Sequence, residues 1–327
     1  MLAVLLSLTL WASPPPAMPA PADSLEGETY RVYTRDGQPT TLNALLLSLR
    51  GTDVVFLGET HDDPVAHHLE EIVLREAHQR YGSTDSTEGR PIAVSLEMFE
   101  RDIQYVVDEY LEGLISESHF RKSSRPWGNY DPDYRPMVEF AKENGLAVIA
   151  ANAPRRYVNR VSRAGPEGLM ALSAQAKATL PPLPYAPASE AYTAKWDSLN
   201  AVMVAQMGGG DAHGQTSQPP NARRQRLMNN MLHAQSLWDA GMAYSITEHL
   251  LRQPDALVLH VTGSFHVDKG SGIPDHLERY RPGTRTLIIT MRPHSDIDDF
   301  DKDAFTGVGD FVILTDASLP RSYESSF

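Results

Sequence analysis

The chain contains no cysteine. That excludes disulfides, thiolate metal ligands, a cysteine nucleophile and a lipid-modified N-terminal cysteine. Basic residues are scarce: 29 Lys and Arg stand against 42 Asp and Glu, for a formal net charge of −13. A nucleic-acid partner normally requires a basic face, so that class is set aside. Long apolar runs are also lacking. Leu2–Trp11 is apolar but too short for a mature membrane helix, and no later stretch is long enough to span a bilayer. Small residues follow it in PAMPAPADS, so residues 1–22 read as an export signal with cleavage near Ala20 or Ala22, although no Lys or Arg precedes the apolar core.

What is present is a chain of 327 residues, 41% of them hydrophobic, enough to bury a substantial core. Its organising stretch is DVVFLGETHDDPVAHH, from Asp53 to His68. The apolar run Val54–Leu57 predicts a buried strand, and Gly58 breaks it. Glu59 and His61 follow at the strand end. Asp62 or Asp63 then caps a helix with Pro64 in its first turn. Similar apolar runs at Ile92–Leu96, Leu146–Ala151, Leu257–Thr262, Thr286–Met291 and Phe311–Leu314 predict further strands, with Tyr30–Thr34 as an edge strand. Helical patterns separate them, the longest over Asn221–Arg252. Strands alternating with helices imply an α/β fold, a mostly parallel sheet flanked by helices. Nothing reads as a linker, so residues 23–327 are expected to form a single domain with a helical insertion around 154–220. Gly208–Pro220 reads as a surface loop.

Glu59, His61, Glu97 and His266 each lie at, or just past, the end of a predicted strand. In a parallel sheet those ends share one edge, where ligands bind. Carboxylate and imidazole together suit a divalent metal or a general acid/base pair. On the following helix, Val65, Leu69, Ile72 and Val73 centre on one face. His68 borders that face and is expected to turn inward. His67, nearly opposite with Glu70 and Leu74, is expected in solvent. Asn152 and Arg155 flank Pro154, where a helix N-terminus and arginines would converge on an anion. In the long helix, Gln235 and Asp239 fall inside an apolar stripe, and a buried Asp needs a partner such as a site histidine. His213, His233, His276 and His294 have no such context and read as surface residues.

At GETHDDPVAHH, AANAPR, QSLWDAGMA and GSFHV the chain resembles the ChaN-like haem-binding proteins. Their wider superfamily includes Tiki metalloproteases, TraB-like proteins and erythromycin esterases. The resemblance runs from about Val54 to Met291. It implies an α/β fold, export to the cell envelope and a role in haem or iron handling. It also implies a haem-ligating tyrosine, for which Tyr130 and Tyr134, beside Trp127, are the candidates. By motif matching, Glu59, His61, one of His67 and His68, Glu97 and His266 become site residues.

Two functions stay open. In the first, the chain binds haem, with Trp127, Tyr130 and Tyr134 lining a slot and Arg155 meeting a propionate. In the second it is a metal-dependent hydrolase, peptidase-like by analogy with the Tiki branch. A divalent metal ion would then be held by Glu59, His61, His68, Glu97 and His266. The expected partner is haem or another small molecule. Envelope association and a homodimer are open options, without a cysteine anchor.

Overall fold

A computed structural model describes residues 25–82, 89–206 and 220–323. The expected export signal, and the Gly-rich stretch apart from its last residue, lie outside the described residues. The sheet has eight strands in the order β2-β1-β8-β7-β3-β6-β4-β5. In chain order these are β1 (Tyr30–Thr34), β2 (Pro39–Thr40), β3 (Val54–Glu59), β4 (Ile92–Glu100), β5 (Ala147–Asn152), β6 (Leu257–Gly263), β7 (Thr286–His294) and β8 (Phe311–Asp316). The six strands from β8 to β5 run parallel. β1 joins antiparallel to both β8 and β2, so it is an inner strand rather than the expected edge.

The helices that cover the sheet are α1 (Leu42–Ser48), α2 (Pro64–Tyr81), α3 (Gln104–Leu111), α4 (Glu117–Ser124) and α5 (Arg135–Glu143), then α6 (Arg155–Ala164), α7 (Ala174–Lys177), α8 (Glu190–Gln206), α9 (Pro220–Arg252), α10 (Ile273–Tyr280) and α11 (Lys302–Phe305). From β3 the chain crosses through α2 to β4, then through α3–α5 to β5, always toward one side of the sheet. From β5 it returns through α6–α9 to β6, then through α10 to β7. Right-handed crossovers in opposite directions put their helices on opposite faces. The core divides accordingly. Val55, Leu57, Val94, Leu96, Leu259 and Val261 pack with α1, α2 and α5. Val54, Phe56, Ala93 and Val258 pack with α9 and α10.

β3 and β6 are neighbours, yet the chain leaves them in opposite directions. Their carboxyl ends therefore form a topological switch point, where a crevice opens above the sheet. β4 widens it. The strand runs on to Glu100, beyond the expected Leu96, because Met98 and Phe99 are also buried. Its pairing with β6 stops at Leu96↔Val261, and its register against β5 shifts before Glu100.

The opposite end of the sheet is locked by Asp53, which is buried just before β3. Arg285 donates to both of its oxygens, through Nη2 at 2.6 Å and its backbone N at 2.9 Å. Arg90 spans the same end, donating to the carbonyls of Thr52, Asp255 and Ala256. Burial alone would raise the Asp53 pKa, but the Arg285 bonds and charge outweigh it and hold it below the ordinary value. A carboxyl depressed in the folded chain adds stability that is present above its unfolded pKa and lost as pH falls through the folded one. Asp53→Asn should therefore cost about 1 kcal/mol at pH 7, Arg285 being exposed and screened. Its melting temperature should converge on that of the parent as pH falls below about 3.9. A gap between the two melts that stays constant with pH would remove the charge from this account.

Candidate functional site

Side chains alternate along β3 and β4, and this sends the two strand-end carboxylates to opposite faces. Glu59 shares the parity of Val55 and Leu57 and points toward α2. Glu97 shares the parity of Ala93 and points toward α9.

Around Glu59 the charge is fully enclosed, its side chain 0% exposed. Oε1 accepts from the Tyr134 hydroxyl at 2.9 Å and faces His61 Nδ1 at 2.7 Å. Oε2 lies 2.9 Å from Nδ1 of His67. The same nitrogen is hydrogen-bonded to Glu70 Oε2 at 3.1 Å. On its other side, His67 Nε2 donates to the carbonyl of His61 at 3.2 Å, with Asp133 Oδ2 3.4 Å away. Asn129 Nδ2 joins that carbonyl, at 2.8 Å, to Asp133, at 2.7 Å. Oε1 of Glu70 is buried without a hydrogen-bond partner, and Oε2 of Glu59 has only the His67 contact.

Electrostatics follow this geometry. Burial would raise the Glu59 pKa, but the His67 charge and the bonds from His61 and His67 bring it far below the ordinary range. Burial disfavours a charged His67, yet Glu59 and Glu70 together raise it to about 12. Glu70 moves up, through burial and then the Glu59 charge. Burial also opposes a charged His61, but its Glu59 bond and the charges of Glu97 and Glu59 raise it to about 9.

On the other face, Glu97 Oε2 accepts from Thr262 Oγ1 at 2.7 Å and from the Gly263 backbone N at 2.9 Å. Its Oε1 lies 3.9 Å from His266 Nε2. Asp239 of α9 reaches Nδ1 of that histidine at 2.5 Å. The result is a carboxylate-backed imidazole facing a second carboxylate, an acid/base arrangement. His61 joins the two groups. Its ring lies over Gly263, where a Cβ would fall 2.9 Å from both Cε1 and Nε2. Its side chain is 46% exposed, and Nε2 has no protein partner among the described residues. Trp127 stands edge-on to the ring, centroids 4.9 Å apart.

Several expectations need correction. The inward histidine is His67, 3% exposed, whereas His68 is half-buried and has no bond into the site. The reason is a second cover on α2. Residues Tyr130–Tyr134 form a π-helical turn whose Tyr134 ring packs edge-on to His67, on the α2 face that also carries buried Glu70 and Leu74. Neither expected tyrosine presents its hydroxyl outward. Tyr134 gives its own to Glu59, and Tyr130 is enclosed with Phe99 and Phe120. Arg155 is exposed at the start of α6, and buried Asn152 leaves its Oδ1 unpartnered. No hydrogen bond or ion pair joins either to the two clusters. Gln235 is half-buried, its Oε1 also unpartnered. The expected metal set does not converge as a unit. Among the described residues, the groups with all donor atoms within 4.8 Å of one another are Glu59, His67 and Glu70. His276, expected at the surface, is buried against Ser236 Oγ at 3.2 Å. Glu70, Asn129 and Asp133 were absent from the expected site, and His67 stood in it only as the alternative to His68. The available signal was Glu70 three residues after His67, with Leu74 completing the stripe.

Residues 45–277 match the protein family described as haem-binding uptake, Tiki superfamily, ChaN. The chain belongs to this family. Among solved structures it is similar to ChaN of Campylobacter jejuni, described with cofacial haem bound, at a TM-score of 0.63 and 15% identity over 88% of this chain and 98% of that one. Among curated proteins it is similar to Protein RETICULATA-RELATED 5, chloroplastic, of Arabidopsis thaliana, 23% identical over 88% of this chain. The chain spans 38% of the length of that relative. An erythromycin esterase, EreC, covers 88% of the chain at a TM-score of 0.43 and 12% identity. No described helix is long and apolar enough to cross a membrane.

Gly263 is the position on which the His61 ring depends. In Gly263→Ala the new methyl would enter the ring's place, and the half-exposed imidazole would swing outward. The expected result is a clear shift of the His61 Cε1 proton resonance as it leaves the Trp127 ring current, with a lowered melting temperature because buried Glu59 loses the His61 bond. An unmoved resonance would mean that the ring does not rest on Gly263.

Proposed function

We propose that this ChaN-family protein binds haem at the switch point, and that His61 is the polar group meeting the ligand there. The observation carrying this is His61 itself: a half-exposed imidazole, held from behind by Glu59, with a free Nε2 beside the half-buried indole of Trp127. A flat apolar ligand with polar groups at its rim needs an aromatic wall and a fixed polar partner, and these two residues supply both. The donor set fits haem in that sense, and bound haem would supply the iron chemistry. The cofacial haem described for the C. jejuni relative supports the same reading. With one haem per chain, a face-to-face pair would bring two copies together, which supports a homodimer. The N-terminal apolar run and the small residues after it support export and a role in haem handling at the cell envelope.

Titrating the purified protein with hemin should give a saturable Soret change near one haem per chain. His61→Ala should weaken binding about tenfold or more, the usual scale for losing one polar contact to a ligand. Tyr130→Phe and Tyr134→Phe should leave the band position unchanged, because both hydroxyls face inward. A titration without saturation in the parent protein would sink the haem reading.

The Asp239–His266–Glu97 arrangement favours a second reading, hydrolysis by general acid/base chemistry with or without a divalent ion. Peptide or ester cleavage by the parent that His266→Ala abolishes would support it. Hydrolysis at the same rate in both would remove it.

A further inference from the structure

We infer that Glu59, His67 and Glu70 form an inner divalent-metal site beneath the crevice, separate from the His61–Glu97–His266 edge and independent of haem. The orientation of the His67 ring points there first. Its Nε2 is committed to the His61 carbonyl, so Nδ1 is the nitrogen that faces both carboxylates. A metal-bound histidine characteristically donates its other N–H to a carbonyl or carboxylate in this way.

The carboxylates are the second, independent sign. Both side chains are 0% exposed, Oε1 of Glu70 has no hydrogen-bond partner, and Oε2 of Glu59 has only the His67 Nδ1 contact. Buried polar atoms are almost always paired, and an orphaned carboxylate oxygen is among the costliest to leave so. Glu59 is also oriented for ligation. Tyr134 and His61 both engage Oε1 and leave Oε2 turned to His67.

Dimensions agree. Nδ1 lies 2.9 Å from Glu59 Oε2 and 3.1 Å from Glu70 Oε2. Ligands at about 2.0–2.2 Å around a tetrahedral ion stand roughly 3.3–3.6 Å apart, so the three side chains need open only by a few tenths of an ångström. Two carboxylates balance a divalent charge. One imidazole with two carboxylates selects a first-row ion such as Zn²⁺ or Mn²⁺ over Ca²⁺ or Mg²⁺, which favour all-oxygen shells. The competing occupant of the same gap is a proton on Nδ1.

The test is equilibrium dialysis of chelator-treated, haem-free protein against Zn²⁺ or Mn²⁺ alone, followed by elemental analysis and a thermal melt. The parent should retain one ion per chain and melt higher with it. Glu70→Gln, which keeps the side-chain shape, should bind at least tenfold more weakly and lose the metal-dependent rise while still melting cooperatively. His266→Ala should bind like the parent, which separates the inner site from the edge. The proposal is overturned if the parent retains no ion, if Glu70→Gln binds equally well, or if His266→Ala abolishes binding. It is equally overturned if ¹⁵N spectra show both His67 nitrogens protonated in excess Zn²⁺.

Discussion

The buried charge of Glu59 constrains everything around it. A carboxylate without exposure at the end of a central strand is tolerated only with close partners, because taking an unpaired charge out of water costs several kcal/mol. Three elements meet that demand: the loop after β3 with His61, the first turn of α2 with His67, and the Tyr130–Tyr134 turn with Tyr134. Each is in turn fixed from behind. Asp63 caps α2 through the Val65 and Ala66 amides and accepts from Thr315 of β8, so the helix start is tied to the sheet. Asn129 and His67 share the His61 carbonyl, which ties the loop to the turn.

Topology explains why the polar groups gather where they do. At the switch point between β3 and β6 the covering helices part, and β4 leaves β6 after Leu96. That gap exposes the β6 end to Glu97, whose Oε2 then takes the Gly263 amide that a continued β4 pairing would have occupied. The alternation of side chains does the rest: one carboxylate per face, each with its own histidine. His61 is the bridge between faces because position 263 lacks a side chain and leaves room for an imidazole ring.

The strands were legible in the sequence because they are nearly continuous apolar runs, as fully covered parallel strands must be. Glu59, His61, Glu97 and His266 were legible for the same reason: each interrupts the polarity pattern at a strand end. The register of α2 was not. Periodicity finds one apolar face, and α2 has two covered faces, the second lined by His67, Glu70 and Leu74 under a turn distant in sequence. The surroundings of the tyrosines were not legible either. An aromatic-rich irregular segment suggests a ligand slot, but Tyr130 serves a local cluster with Phe99 and Phe120, and Tyr134 serves a carboxylate. Sequence shows that such a segment must pack; it does not show against what.

A polar stripe on a helix is therefore ambiguous only until one asks what else it contains. On α2, Leu74 stands one turn beyond Glu70 and two beyond His67, on the face assigned to water. A solvated face carries no need for leucine, whereas a face roofed by aromatic side chains does, and Tyr134 packs edge-on to His67 at 4.9 Å. Once that roof is in place, His67 and Glu70 lose their water together. They must satisfy each other and whatever lies beneath, which is Glu59. The helix, the turn and the strand end thus fix one another: Glu59 and His67 match as a charged pair, and Glu70, pushed toward its neutral form by burial and the Glu59 charge, completes the group.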